Sequence, residues 1–383
     1  MWPESSEQLT PLRTGLTTGS CATACTVAAV RYLFEQKRVS TVAITLPRGQ
    51  TVELPIHHVE ALDTDSAIAA TIKDAGDDPD VTHGSEVFVQ LRRTREKAIT
   101  FKAAAGVGTV TKAGLSLAIG EPAINPVPRQ MITDHLQRYR AFYAYEGGFE
   151  VAVGVKNGAQ IAQKTMNPRL GILGGLSILG TTGIVRPYSC AAYIASIRQG
   201  VDVACNNGLT HIAASTGSTS EAMVREHYQL SDMALIEMGD FAGAFLKHLR
   251  RNTQLTRLTL CAGFGKLTKL AAGHLDLHSR ASSINLNQLA QIARELGGDE
   301  QLAEQIAGCN TSMEALRLCQ TQKLPLADTI CQRAGAVMRR FIPKTITITV
   351  WAVDRKGLPV GSYADTPALL ARCYGMTEIG DDE

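Results

Sequence analysis

Five glycine-rich clusters hold most of the residues whose types and spacing could do chemistry. The first is Thr14-Gly15-Leu16-Thr17-Thr18-Gly19-Ser20, placed just ahead of an Ala-rich stretch. Free N–H groups and hydroxyls at a helix mouth can hold a carboxylate or phosphate, so Thr17, Thr18, Gly19 and Ser20 are candidate substrate contacts. An ordinary N-cap and turn would carry the same residues. The second runs from Gly106-Val107-Gly108 to Lys112 and on through Gly120-Glu121-Pro122-Ala123-Ile124-Asn125-Pro126-Val127-Pro128-Arg129. It does not continue as G-x-G-x-x-G, so the dinucleotide fingerprint fails. Its three prolines predict a stiff loop presenting Asn125 or Arg129, with Lys112 nearby in sequence.

The third cluster, Asn167 to Gly183, mixes glycine with bulky aliphatic residues and contains Arg169, Gly174 and Gly175. Such an apolar surface with accessible amides suits a flat, greasy ligand with polar edges; a buried inter-domain crossover with close backbone packing is the alternative. The fourth, Ser215-Thr216-Gly217-Ser218-Thr219-Ser220-Glu221, stands between a strand and a helix, where α/β proteins bind ligands. Glu237-Met238-Gly239-Asp240 takes the equivalent place after the next strand, and an acidic residue there commonly accepts ribose hydroxyls. Thr216, Gly217, Ser218, Glu237, Gly239 and Asp240 are therefore candidate cofactor contacts.

The fifth comprises Gly263-Phe264-Gly265-Lys266-Leu267-Thr268-Lys269 and Ala272 to Arg280. Gly263 and Gly265 join the cofactor candidates, while Lys266 and Lys269 are candidate anchors for an anionic substrate. His274 and His278, four apart, invite a metal reading, but no Glu sits in the H-E-x-x-H position and no third ligand emerges. No metal site is assigned, and the two histidines stay open to proton transfer, substrate contact or a structural role.

These clusters need elements to position them. Cys21 to about Gln36 is helical by spacing, Val39–Leu46 and Thr51–Ile56 flank a turn as a hairpin, and Asp63 to Ala70 reads as a short capped helix. Asp74 to Asp80 is a loop by composition; Val87–Leu91, Ala98–Ala103 and Phe149–Val155 read as strands. Beyond residue 186, strand, loop and helix alternate from Ser189 to Cys261, the pattern of a parallel sheet. Asn285 to Phe341 is helical with breaks at Gly297-Gly298 and Gly308, Thr311 to Glu314 forms a capping box, and Thr345–Val353 reads as the last strand. The fold class is α/β and α+β: a β-rich α+β domain over residues 1–186, helix plus mixed sheet, and a Rossmann-like parallel α/β domain over 187–383 with the cofactor site.

Composition narrows the function. With 383 residues, 38 Lys+Arg and 36 Asp+Glu, the net charge of +2 lacks the footprint of a nucleic-acid binder. Hydrophobic residues at 45% and charged residues at 19% fit a globular protein. Glycine is enriched, 34 residues against a usual share of about 7%. Nine cysteines, an odd number with no C-x-x-C, argue against a disulfide framework and for reduced thiols in a cytoplasmic protein. The N-terminal Met1 to Glu7 carries no secretory signal pattern. The uncharged run Leu170 to Val185 is broken by five glycines and is too short for a membrane span.

Taken in order, Leu12-Arg13-Thr14-Gly15, Thr17-Thr18-Gly19 with Cys21-Ala22, the Gly120 to Arg129 segment, Asn167-Pro168-Arg169-Leu170-Gly171 through Gly180-Thr181-Thr182-Gly183-Ile184-Val185, and Gly265-Lys266 with Lys269 to His274 resemble the CbiD family. The resemblance covers about residues 10 to 280. Leu16, Ser218-Thr219 and Leu277 depart from the family pattern. The resemblance implies a cobalt-precorrin-5B C(1)-methyltransferase of cobalamin biosynthesis, which moves the S-adenosylmethionine methyl group to C-1 of the corrinoid ring to give cobalt-precorrin-6A. Positioning should then dominate. A base to take up a ring proton is sought among Glu221, Asp240, His274 and His278. Lys112, Arg129, Arg169, Lys266 and Lys269 would meet the ring carboxylates. A homo-oligomer and transient handover from neighbouring pathway enzymes are expectations; a membrane or nucleic-acid partner is not. A non-catalytic corrinoid carrier and a small-molecule kinase are the other classes, although no G-x-x-x-x-G-K-[ST] loop is present.

Overall fold

Thr17 caps the helix Thr18–Glu35, the centre of the first of two units, Met1–Cys190 and Ala191–Glu383, in the computed structural model. The structure describes residues 11–250 and 254–365; the Met1 to Glu7 stretch, Arg251 and Cys373 lie outside them. Every residue from Thr18 to Val30 is buried. Ala, Cys, Thr and Gly on all sides let sheet and loops close around the helix, as an all-round apolar helix requires. Cys21 and Cys25 are small fillers here, and burial pushes both thiols up, Cys21 to about 12.

One face of a five-stranded sheet packs on this helix, in the order His58–Ala61, Ser66–Ile72, Glu86–Thr94, Gly148–Val155, Ile99–Ala103. Its neighbours are antiparallel except the last pair. Thr41–Thr45 and Thr51–Pro55 form the expected hairpin. Two expectations are corrected. Asp63 to Ala70 is not a helix: a turn leads into the strand Ser66–Ile72, whose Ala67 and Ala69 lie fully buried in the core that the central helix shares. Alanine was selected there for close helix–sheet approach, and packing overrides propensity. The proline-rich segment is not all loop: Asn125 caps the helix Pro126–Phe142. Proline in a first turn lacks only an N–H that would have had no helical partner.

Lys73 follows the strand Ser66–Ile72, and its ammonium, 1% exposed, pairs with Asp80 at 2.5 Å. Burial opposes ionisation of Asp80, but Lys73 and two bonds from Thr82 outweigh it and hold the carboxyl below its usual range. Removing the cation leaves a carboxylate without its partner, so Lys73→Met is expected to cost about 3 kcal/mol of unfolding free energy. Adding Asp80→Asn should recover part of that loss in a denaturant titration.

In the second unit the sheet order is Leu235–Glu237, His211–Ser215, Arg257–Gly263, Thr347–Val353, Pro359–Ala364. The first four strands are parallel and the last is antiparallel. Thr347–Val353 is therefore not the last strand. Gly357, at φ +84°, turns the chain back, and Pro359 and Gly361 hide the return strand from a periodicity reading. The helix Ser218–Tyr228 covers one face, beside Ala213, Cys261 and Trp351. The helices Ala242–Leu249 and Phe264–Ala271 share the opposite core with the helices between residues 286 and 339. Thr311 accepts the Glu314 amide as a capping box demands, while the Glu314 carboxylate accepts from Asn310.

His211 stands on the Ser218–Tyr228 side, its Nε2 at 2.8 Å from Thr259 Oγ1. Burial, then the neighbouring Arg257, pull its imidazole down to about 4. The folded chain favours the neutral ring, whereas the unfolded chain takes up a proton near 6.5. Stability is therefore expected to fall as pH drops from about 6.5 towards 4, and less steeply in His211→Asn. Chemical unfolding at stepped pH measures this.

Candidate functional site

Because the strands are parallel, the loops after Ser215, Glu237 and Gly263 emerge at one edge of the second sheet. The chain leaves His211–Ser215 over one face, pairs Leu235–Glu237 beside it, then crosses back over the other face to Arg257–Gly263. That reversal is the topological switch point, where open α/β sheets take ligands. The Lys266 ammonium joins two of these loops. It donates to Thr216 O at 3.1 Å and lies 3.0 Å from Asp240 Oδ1. Asp240 Oδ1 is buried and makes no hydrogen bond, so this second contact is an ion pair off hydrogen-bond geometry.

Gly217 and Gly263 leave open space where a Cβ would stand. Gly217 opens the helix Ser218–Tyr228, whose first turn receives no side-chain cap. Glu237, the last residue of its strand, is exposed, and buried Ser215 Oγ has no hydrogen-bond partner. Bare backbone, free helix amides, an exposed carboxylate and an orphan hydroxyl fit a nucleoside-type cofactor with a carboxylate of its own. Sequence reasoning missed Tyr193 and Phe241, which wall this edge with rings 5.5 Å apart. A Cβ on Gly239, at φ +55°, would stand 3.0 Å from Tyr193 Oη. Burial, then Glu237, Asp240 and Glu221 in turn, push the Tyr193 phenol up. A tyrosine on an Ala-rich helix carries no spacing signal.

Other candidates are placed differently from expectation. Lys269 is no exposed anchor: only 8% exposed, it donates to Leu277 O at 2.9 Å. Burial pulls its ammonium below the ordinary range, against the attraction of Asp240. It buttresses the histidine loop, whose Leu277 amide also donates to Asp240 O. Gly265 packs near Ser312 and Ile284. His274 and His278 share no helix face, because the helix Phe264–Ala271 ends before them and Gly273 turns the chain at φ +94°. His274 is exposed, and His278 Nδ1 accepts the Arg280 amide. Glu221 is buried and paired with Arg225 at 3.0 Å. Among the described residues no group of three or more His, Cys, Asp or Glu is gathered for a metal.

In the first unit the helix mouth is occupied by its own chain. The Gly19 amide donates to Leu179 O at 2.9 Å, and Ser20 Oγ donates to Gly183 O at 2.7 Å. Thr17 accepts the Ser20 amide, and Thr18 Oγ1 accepts the Leu179 amide. These four residues lock the 179–183 return instead of presenting donors to a ligand. Arg129 likewise clamps its own loop through Ile124 O, Pro122 O and Glu121. The third cluster is a close-packed crossover inside this unit: Gly175 lies against Gly106, where a Cβ would meet the carbonyl at 2.3 Å. Its exposed part is apolar, with Gly174 beside Leu173 (55% exposed) and Leu179 (48%) further along; Ile119 (63%) is exposed in the loop that follows the paired strand Thr109–Val110. Asn125 caps a helix without a side-chain bond, Lys112 lays its stem on Gly171, and Arg169 is half-buried. Two shallow hollows of about 400 and 360 Å³ are lined by other residues of this unit, His57 and Phe88 among them.

A family model described as CbiD matches residues 5–187, and one described as CbiD, C-terminal domain, matches residues 276–364. A relative from Marinomonas sp. (strain MWYL1) is 59% identical over 376 residues, covering 95% of this chain and 98% of its own length. The chain belongs to the CbiD family. A further CbiD relative, from Hahella chejuensis (strain KCTC 2396), is 60% identical over 95% of this chain and 99% of its own. One from Paraburkholderia phytofirmans is 56% identical over 94% and 100%. All three carry the name cobalt-precorrin-5B C(1)-methyltransferase. A solved structure, the cobalamin biosynthesis protein (cbiD) from Archaeoglobus fulgidus, is 27% identical, covers 75% of this chain and 85% of that one, and superposes with a TM-score of 0.38. Among the described residues no helix is long and apolar enough to cross a membrane.

Proposed function

We propose that this chain methylates C-1 of cobalt-precorrin-5B with S-adenosylmethionine, giving cobalt-precorrin-6A in cobalamin biosynthesis. The observation that carries this reading is identity of 56 to 60% with CbiD relatives of that name over nearly the whole chain. The four parallel strands of the second unit support it by offering a switch point suited to the donor. Glu237 would accept the ribose hydroxyls, and the amides of Gly217 and Ser218 would meet the amino-acid carboxylate. Gly263 and Gly239 would let backbone approach closely, and Thr216, held by Lys266, would fix the rim. When bound, S-adenosylmethionine supplies an electrophilic sulfonium methyl group, which needs no nucleophilic side chain.

The work of the protein is then orientation and exclusion of water. Tyr193 and Phe241 shield the edge. Asp240 and Glu221, each held by a cation, set the field there, and His278 stands one residue from Leu277, which bonds Asp240. For the ring, the apolar skin of Leu173, Gly174, Leu179 and Ile119 offers a flat face, while Lys112 and Arg169 offer positive charge for peripheral carboxylates. Calorimetric titration of the full chain tests the donor part: S-adenosylmethionine and its demethylated product should bind saturably at one site, and ATP should not. Absence of binding with and without corrinoid would overturn the donor assignment.

A further inference from the structure

The histidine loop, residues 272–282, is tied to the segment that follows Glu237 by two backbone bonds. The Leu277 amide donates to Asp240 O at 2.9 Å, and the Gly243 amide donates to Leu275 O at 2.8 Å. Gly243 permits this approach, because a Cβ there would stand 2.8 Å from Leu275 Cβ. The buried Lys269 ammonium donates to Leu277 O, and Ser282 Oγ donates to Asp276 O at 2.8 Å. His278 is fixed in its turn. Its amide donates to Asp276 Oδ1 at 3.0 Å, its carbonyl accepts from the amides of Ala281 and Ser282, and its Nδ1 accepts the Arg280 amide at 3.1 Å. Nε2 of this half-buried ring differs: it bonds to no described residue and is open to solvent.

The Arg280 amide decides the tautomer. A proton on Nδ1 would face the amide hydrogen, so the ring carries its proton on Nε2, where it can donate and cannot accept. We infer that His278 is a fixed hydrogen-bond donor, through Nε2–H, to a carboxylate on the rim of the corrinoid, and is not the base that takes up the ring proton. The inference rests on the reading that this chain methylates cobalt-precorrin-5B. Three observations carry it. The loop is bonded directly to Asp240 and Gly243, so a group held there lies beside the proposed donor site. The bonds within the loop set the imidazole before substrate arrives, which spares part of the ordering cost of binding. The charge around the ring favours an anion. Lys269 holds Leu277, Arg280 follows two residues on, and Asp276, the one acid of the loop, is turned to the His278 amide.

Two substitutions separate the donor from the turn. In His278→Asn the side-chain oxygen can still accept the Arg280 amide two residues on, while the donor at the Nε2 position is lost. His278→Gln reaches that position with an amide N–H. Both full-length variants and the parent are compared by anaerobic steady-state kinetics with cobalt-precorrin-5B and S-adenosylmethionine over a range of pH. His278→Asn is expected to raise KM for the corrinoid about tenfold, leaving KM for S-adenosylmethionine and the shape of kcat against pH as in the parent. His278→Gln should recover part of the loss. A collapse of kcat with the acid limb of the profile abolished would make His278 the base and overturn the inference. An unchanged KM for the corrinoid would overturn it too. If His278→Asn fails to fold by circular dichroism, nitrogen-15 spectra of the histidine-labelled parent decide, with the His278→Gln spectrum assigning the signal. Nε2 is expected to carry the proton, and a ring protonated on Nδ1 would overturn the donor. A parent that transfers no methyl group overturns the methyltransferase reading itself, whereas transfer with any of the contrary results overturns the role of His278 alone.

Discussion

Lys266→Met is expected to lower methyl transfer about 100-fold while the protein stays folded. The ammonium is the tie between Thr216 O and Asp240 Oδ1, two groups on different loops of the switch point. Without it the rim of the proposed donor site would loosen, and an error of about 1 Å at a reacting centre is enough for that loss. Asp240 would also keep a buried oxygen without its ion-pair partner, at about 1–3 kcal/mol. Lys266 is half-exposed, so the lower end of that range is expected. Because the tie positions and does not itself react, kcat should fall more than KM for S-adenosylmethionine rises. Lys266→Arg, which keeps the charge and can reach both oxygens, should restore part of kcat. A pure structural role would instead show as matched losses of folded protein and activity, read by steady-state kinetics beside a thermal melt.

Gly263→Val is expected to leave stability within about 1 kcal/mol of the parent and to weaken binding of S-adenosylmethionine at least tenfold. Gly263 has φ −59° and ψ 142°, which any residue adopts, and no atom stands within 4 Å of its missing Cβ. The fold does not require glycine here, so the valine side chain would enter the space the donor is proposed to fill. Gly175→Val is the contrast, because its Cβ would strike the Gly106 carbonyl and the loss would be of fold. Calorimetry and thermal melts on both variants separate the two kinds of glycine.

That contrast bears on how much the sequence disclosed. The positions of the glycine clusters were legible, because backbone that bends or lies bare leaves glycine behind. Their purposes were not, since close chain packing and ligand access leave the same residue. Thr17 to Ser20 looked like an anion cradle and proved to be a lock on the 179–183 return. The acidic strand end at Glu237 and the Thr216-Gly217 turn are legible from alternation alone, because parallel strands bring their carboxyl ends to one edge. Lys266 was named as a substrate anchor, yet its partners sit 50 and 26 positions away in sequence, and no local pattern encodes them. Lys269, three residues on, carries the same charge and is buried. Ala67 and Ala69 read as helix because their small size, which suits close contact with the central helix, is also the mark of helix propensity. Tyr193 owes its place at the site to neighbours brought by the fold.

Methyl transfer to one ring carbon can be measured directly. The full chain is incubated without oxygen with cobalt-precorrin-5B, freshly made by the preceding enzymes, and S-adenosylmethionine carrying a carbon-13 methyl group. Carbon-13 spectroscopy of the product should show one new labelled methyl group bonded to C-1, formed only when this protein is present. Label at a different ring position, or a corrinoid that binds and returns unlabelled, would contradict the assignment.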